Sequence, residues 1–142
     1  MDDCSRVAFA EIREADDGPQ AAQFLLAAAS FYRDLGVHID RVMTDRAYAY
    51  TQSKLFQGAL VEIGAKHKTT APFHPQTNGK AEAFIKTSLR EWAYVQLYES
   101  NAERHEALPT WLDYYNSHRT HTELKDRTPM DVLVNNVSEK YI

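Results

Sequence analysis

Two helical runs, each stopped by a glycine and each followed at once by a short apolar alternation, constrain this chain more than any other feature. Phe24, Leu25, Ala28, Phe31, Tyr32 and Leu35 recur with a helical period and halt at Gly36, while Asp17 is the expected N-cap and Pro19 sits in the first turn. Val37 to Thr44 then alternates as a strand, with Val37, Ile39 and Val42 facing inward. The pattern repeats. Ser53 caps a helix carrying Leu55, Phe56, Leu60, Val61 and Ile63, Gly64 closes it, and a short strand follows over Ala65 to Thr69. Val7 to Ile12 reads as an earlier strand. Strands and helices in alternation place the chain in the α/β class.

Beyond residue 69 the character changes. A loop from Thr70 to Asn78 holds two prolines and leads into the longest expected helix, about Gly79 to Leu97. At 100° per residue, Phe84, Ile85, Leu89, Trp92 and Val95 form its apolar stripe, and Glu82, Lys86 and Arg90 share the adjoining polar face. Ser100-Asn101-Ala102-Glu103 is a capping box for a further helix that Pro109 should interrupt, with Trp111, Leu112 and Tyr115 on its apolar side. Thr128-Pro129-Met130-Asp131 starts a last short helix. No repeat or low-complexity linker appears, so the 142 residues read as one domain, about 1–98 forming its α/β part and 99–142 a helical part.

Composition removes several function classes. One cysteine, Cys4, leaves no internal disulfide framework or cysteine-rich zinc site, and a reducing cytosol fits that count. The longest apolar stretch, Phe24 to Ala29, is far too short to span a membrane, so no membrane partner is expected. Asp2 and Asp3 stand where a secretion signal needs positive charge. The net charge of −4 opposes a dedicated nucleic-acid binder, but its distribution is uneven. Between residues 66 and 90 lie Lys66, Lys68, Lys80, Lys86 and Arg90, with Glu82 as the only acid. Phosphate backbones favour such a surface, although a solvated mixed-charge face would look similar.

Two carboxylates stand out within this layout. Asp45 ends an apolar run at Val42-Met43-Thr44, and Glu82 opens the long helix after Pro75-Gln76-Thr77-Asn78-Gly79-Lys80-Ala81. An acid at a strand tip and an acid in a helix's first turn can converge on a divalent metal, as in enzymes that cut and join nucleic acid strands. Taken singly, each has an ordinary explanation: Asp45 as a strand-end acid, Glu82 as a helix-dipole acid. His67 and His74 read as surface loop histidines, and His118 and His121 as a surface turn. Trp92, Trp111, Tyr114 and Tyr115 read as core or interface aromatics.

Together these pieces resemble the integrase core of insertion-sequence transposases, in the retroviral-integrase superfamily. The resemblance runs in order through Asp2-Asp3-Cys4-Ser5-Arg6, Val7 to Glu11, Thr44-Asp45, Pro75 to Phe84, Tyr115-Asn116-Ser117-His118-Arg119-Thr120-His121 and Thr128-Pro129. It implies a ribonuclease H-like fold. It also implies a DDE-type polynucleotidyl transferase, in which three carboxylates hold Mg²⁺ (or Mn²⁺) and DNA strands are cut and joined. On this resemblance Asp45 matches the second Asp and Glu82 the Glu. Lys80 and Lys86 would hold phosphates, Lys66, Lys68 and Arg90 would add to the DNA surface, and Asn78 and Gly79 would let a strand end approach closely. The implied partners are the DNA of the element ends and target, and further transposase subunits in a homo-oligomer. The implied location is the bacterial cytoplasm, at the nucleoid.

Several positions depart from the family pattern. Arg46 follows Asp45 where Asn is usual, and is expected to pair with Asp45 against a metal or else to contact DNA. Ala83 replaces a basic residue after the Glu, and Thr120 replaces Pro in the Arg-x-His segment. The first Asp of the family lies on a strand upstream of the Asp2-Asp3 hairpin, so the chain is expected to lack the first strands of the central sheet. Asp2 and Asp3 are then turn residues, and Asp3 is disfavoured as the first acid because no strand precedes it. The alternative function is a catalytically inactive remnant that binds DNA or intact transposase.

Overall fold

The computed structural model describes residues 1–71 and 79–139. Thr77 and Asn78 of the expected Thr77-Asn78-Gly79 turn, His74 and most of the proline-bearing loop therefore lie outside the described residues. The chain gathers into two compact units, Glu11–Asn78 and Met1–Ala10 with Gly79–Ile142. Each is described by itself.

In the unit Glu11–Asn78, the helix α1 (Gly18–Asp34) begins where Asp17 accepts a hydrogen bond from the Gln20 N–H at 3.0 Å. The cap satisfies one amide that the helix cannot pair internally. After α1 comes the strand β1 (Arg41–Thr44), then a single turn α2 (Tyr48–Thr51), the helix α3 (Lys54–Ile63) and the strand β2 (Lys66–Thr69). Ser53 accepts from the Phe56 N–H at 3.2 Å to start α3, and Gly64, at φ 72°, ends it in the left-handed region that disfavours a side chain. The core is Ala22 and Leu25 of α1 against Phe56, Ala59 and Leu60 of α3, with Val42 and Tyr50 packed on it. Gly18 lets the two helices meet: a Cβ there would lie 2.3 Å from the Ser53 hydroxyl oxygen.

β1 and β2 pair in parallel, Arg41 opposite Lys66 and Thr44 opposite Thr69. The strand expected over Val37 to Thr44 is therefore shorter, because the Val37 N–H is taken by the Tyr32 carbonyl at the end of α1. Side chains alternate cleanly. Val42, Thr44, His67 and Thr69 are half-buried, while Arg41, Met43, Lys66 and Lys68 are exposed.

In the other unit, α4 (Gly79–Ser88) passes into a π turn (Leu89–Ala93), followed by α5 (Asn101–Ser117), a 3₁₀ turn (Thr122–Leu124) and α6 (Pro129–Glu139). Leu108, Trp111 and Tyr115 of α5 form the core with Ala8, and Phe84, Trp92 and Leu112 pack around them. The expected strand Val7 to Ile12 does not form. Instead, the Asn116 side chain grips Ala8 from both sides, accepting from its N–H at 2.8 Å and donating to its carbonyl at 2.9 Å. A buried amide thus replaces the neighbouring strand as the partner of this backbone.

Two further expectations for this unit are corrected. The long helix over 79–97 stays α-helical only to Ser88, and the π turn ends it at Tyr94, whose N–H bonds the Leu89 carbonyl. Of its expected apolar stripe, Phe84 and Trp92 pack inward, whereas Ile85, Leu89 and Val95 are exposed. Pro109 does not interrupt α5, which runs unbroken from Asn101 to Ser117. Pro109 and His105 lie on the exposed side, so the carbonyl that loses its partner can turn to water. The capping hydrogen bond from the Glu103 N–H to Ser100 is present at 3.1 Å.

Candidate functional site

Asp45 follows β1 directly and is exposed. A chain of hydrogen bonds fixes it from below. The Thr44 hydroxyl donates to the Asp45 carbonyl at 2.7 Å. A hydroxyl has one proton, so the His67 Nε2, 2.8 Å away, must donate to the Thr44 oxygen. His67 Nδ1 is then left as acceptor for the Gln57 amide at 3.2 Å, and that amide also donates to the Tyr50 carbonyl at 2.8 Å. The Phe56 ring meets His67 edge-on. His67 is thus a half-buried residue of β2 that supports the strand end, not a surface loop histidine. Sequence reasoning missed this role because the contact is across strands, between residues far apart in the chain.

The Asp45 carboxylate itself accepts one hydrogen bond, from the Ala47 N–H to Oδ1 at 2.8 Å. Its other oxygen takes no partner among the described residues. Arg46 turns elsewhere: its Nε donates to the Thr70 carbonyl at 3.1 Å, so the expected pairing with Asp45 does not form. Burial pushes the Tyr50 hydroxyl above its ordinary range, and the negative charges of Asp45 and then Asp16 push in the same direction. Lys66 and Lys68 lie exposed on the outer side of β2, in the same unit as Asp45.

Glu82 belongs to the other unit. It stands in the first turn of α4, where the helix dipole favours a negative charge, and is exposed with no hydrogen bond or ion pair among the described residues. Lys86, one turn later, is exposed too. Gly79 is the first residue of α4. Lys80 is committed to Asp3, whose carboxylate it meets at 2.6 Å and whose carbonyl at 2.8 Å. Arg90 lies 3.5 Å from Glu91. Asn78 is outside the described residues. Among the described residues, no three His, Cys, Asp or Glu side chains come together as a metal site.

The Asp2-Asp3 segment is a turn, as expected. Asp2 accepts from the Ser5 N–H and hydroxyl at 2.7 and 2.6 Å, and the backbone of Asp2 pairs with Val7. His118 is exposed near Asp113. His121 departs from the surface-turn expectation: it packs edge-on against Tyr115, and Arg119 beside it holds Glu91 through Nε and Nη2 at 3.0–3.2 Å.

Fold and matched sequence point to the same class: the chain is similar to integrase core domains. Residues 63–129 match the family model described as "Integrase core domain", a segment that contains Glu82 and the Asn116 and Arg119 contacts. The catalytic core domain of BIV integrase superposes with a TM-score of 0.70 at 17% identity, over 97% of this chain and 84% of that one, which establishes the ribonuclease H-like fold. The particular relatives come from insertion elements. The transposase for insertion sequence element IS904 of Lactococcus lactis is 32% identical over 91 residues, covering 63% of this chain and 36% of that protein. The putative transposase InsD for insertion element IS2E of Escherichia coli is 29% identical over 91 residues, 64% of this chain and 41% of that protein. The chain thus spans about two-fifths or less of the length of these two relatives. No helix among the described residues is long and apolar enough to cross a membrane.

Proposed function

We propose that this chain is part of a DNA-integrating polynucleotidyl transferase, with Asp45 and Glu82 as its acids. The observation that supports this reading is the state of those two carboxylates. Each sits at the start or end of a rigid element, each is exposed, and each keeps oxygen atoms uncommitted among the described residues. Uncommitted hard oxygens suit Mg²⁺ or Mn²⁺, and Mg²⁺ is commonly held by one or two carboxylates with water and substrate phosphates completing the set. Asp45 and Glu82 would hold the ion, which would supply charge neutralisation at a phosphodiester. His67 and Thr44 hold the Asp45 backbone in place, while Lys66, Lys68, Lys80, Lys86 and Arg90, with Asn78 and Gly79, receive the DNA backbone. Element ends and target DNA are the proposed substrates, and further transposase subunits the partners, at the bacterial nucleoid.

A second reading, in which the chain binds DNA or an intact transposase without cutting, is favoured by one observation. Among the described residues, no three His, Cys, Asp or Glu side chains gather into a metal site. Incubation of the purified chain with labelled duplex DNA and Mg²⁺ or Mn²⁺ separates the two. Metal-dependent nicking that falls to background in both Asp45→Asn and Glu82→Gln supports the enzyme. Nicking untouched by these changes rejects the assigned acids, and DNA binding without nicking supports the second reading.

A further inference from the structure

The strand β1 leaves one of its edges open. Asp40 and Thr44 turn their carbonyls to β2, accepting from the Lys66 and Thr70 N–H groups at 2.9 Å each. Backbone groups alternate sides along a strand, so those of Val42 face β2 as well, and the N–H and C=O of Arg41 and Met43 point the other way. Among the described residues the sheet has two strands, so no third strand meets them. Both side chains are exposed, Met43 at 42%. An uncovered strand edge is a template for pairing with another strand.

The residues along this edge say which strand fits. In Asp40-Arg41-Val42-Met43-Thr44-Asp45-Arg46 the charges change sign when the segment is reversed about Met43. Laid antiparallel beside itself with Met43 at the centre, it sets Arg41 opposite Asp45, Asp40 opposite Arg46 and Val42 opposite Thr44. The backbone permits this register. Only residues whose backbone groups turn outward can exchange hydrogen bonds across the pair, so Arg41 and Met43 must meet residues of that same row, in which Asp45 is next. Centring on Arg41 would oppose two arginines, whereas centring on Met43 gives each charge a partner of opposite sign. The groups are available for it. The Arg41 side chain makes no hydrogen bond or ion pair among the described residues, and one Asp45 oxygen is uncommitted there too. Arg46 commits only its Nε, to the Thr70 carbonyl, and keeps both Nη groups.

We propose that β1 is the contact through which two copies of this chain pair, antiparallel about a twofold axis at Met43. Their two-stranded sheets join into one of four strands, in the order β2-β1-β1-β2. Met43 of each copy exchanges two backbone hydrogen bonds with Met43 of the other, and the Arg41–Asp45 and Asp40–Arg46 pairs fix the register. A twofold contact of this kind is self-complementary and closes at two copies. β1 is four residues long, so the interface is small and the dimer weak, gaining population as protein concentration rises. The pairing uses the charge of Asp45 and does not require that this acid bind a metal.

Sedimentation equilibrium of the whole chain over a range of concentrations tests the contact. The expected result is a monomer–dimer equilibrium that weakens as salt screens the ion pairs. Arg41→Asp or Asp45→Arg alone sets like charges opposite each other twice and should weaken the dimer about tenfold. A mixture of these two variants, in which every charge again meets its opposite, should form heterodimers about as readily as the wild type pairs with itself. Facing Cα atoms at the centre of the pair lie about 5.5 Å apart, within reach of a disulfide. Met43→Cys, with Cys4→Ser to remove the native thiol, should therefore crosslink on air oxidation, whereas Lys66→Cys in the same background, on the far strand, should not. Circular dichroism checks that each variant folds. A chain that stays monomeric throughout overturns the proposal and leaves the edge to a strand from a different protein. A dimer indifferent to both charge reversals overturns it by placing the contact elsewhere. Should a reversal fail to fold, a Met43→Cys chain that crosslinks no better than Lys66→Cys overturns it as well. None of these readouts needs DNA or a metal, so the contact stands or falls separately from the Asp45–Glu82 assignment.

Discussion

Asn116 and His121 show how single side chains hold the unit formed by residues 1–10 and 79–142. The Asn116 amide closes two hydrogen bonds with the Ala8 backbone while itself buried. Asn116→Ala leaves a buried N–H and a buried carbonyl unpaired, and should lower stability by about 2–4 kcal/mol in urea unfolding. His121 predicts a pH effect. Burial holds its imidazole below the ordinary range, Arg119 and Arg6 add to this, and the nearby Glu123 and Glu91 oppose it less. The unfolded chain would protonate this residue near its ordinary value of about 6.5. As pH falls through that point the unfolded state takes up protons that the folded state refuses, so stability drops. Above it the contribution is fully present. The melting temperature of the wild type in a phosphate-free buffer should fall from pH 7 toward pH 5 more steeply than that of His121→Phe.

At the scale of elements, the helices were the most legible part of the sequence. Asp17, Ser53 and Ser100 each cap the helix they announce, because a cap is a local contact set by residues three apart. Glycine gives a further test. Gly58 lies inside α3 with open space where a Cβ would stand, so Gly58→Ala should raise stability by about 0.5–1 kcal/mol. Gly18→Ala should lower the melting temperature, since its methyl group would press into the Ser53 cap. The strands were less legible. Val7 to Ile12 has the composition of a strand, yet the partner of Ala8 is a side chain more than a hundred residues away, which no local pattern records. The same holds for the site. Asp45 and Glu82 stand, as expected, at an element's end and start, whereas the support of Asp45 by His67 depends on strand register.

For the whole molecule, net charge is a poor guide to partners. The chain is acidic at −4, while five basic residues fall between positions 66 and 90. If all five reach phosphates, the affinity for duplex DNA should fall with salt at a logarithmic slope of about −4.5. Each Lys→Gln change among them should reduce the slope by about one. A salt-independent affinity would remove these side chains from the DNA surface.

The π turn at Leu89–Ala93 carries one residue more than an α-helix of the same span would need. That surplus acts as a rotational offset between the two ends of the segment. Excising Arg90 would let the turn relax into regular helix and swing everything before it by about 100° relative to Trp92. Glu82 and Lys86 would then face a new direction while every side chain of the aromatic core was still present. The bearing of the proposed acid is thus tuned by a single position two turns downstream of it, a place where gain or loss of one amino acid would matter more than its identity.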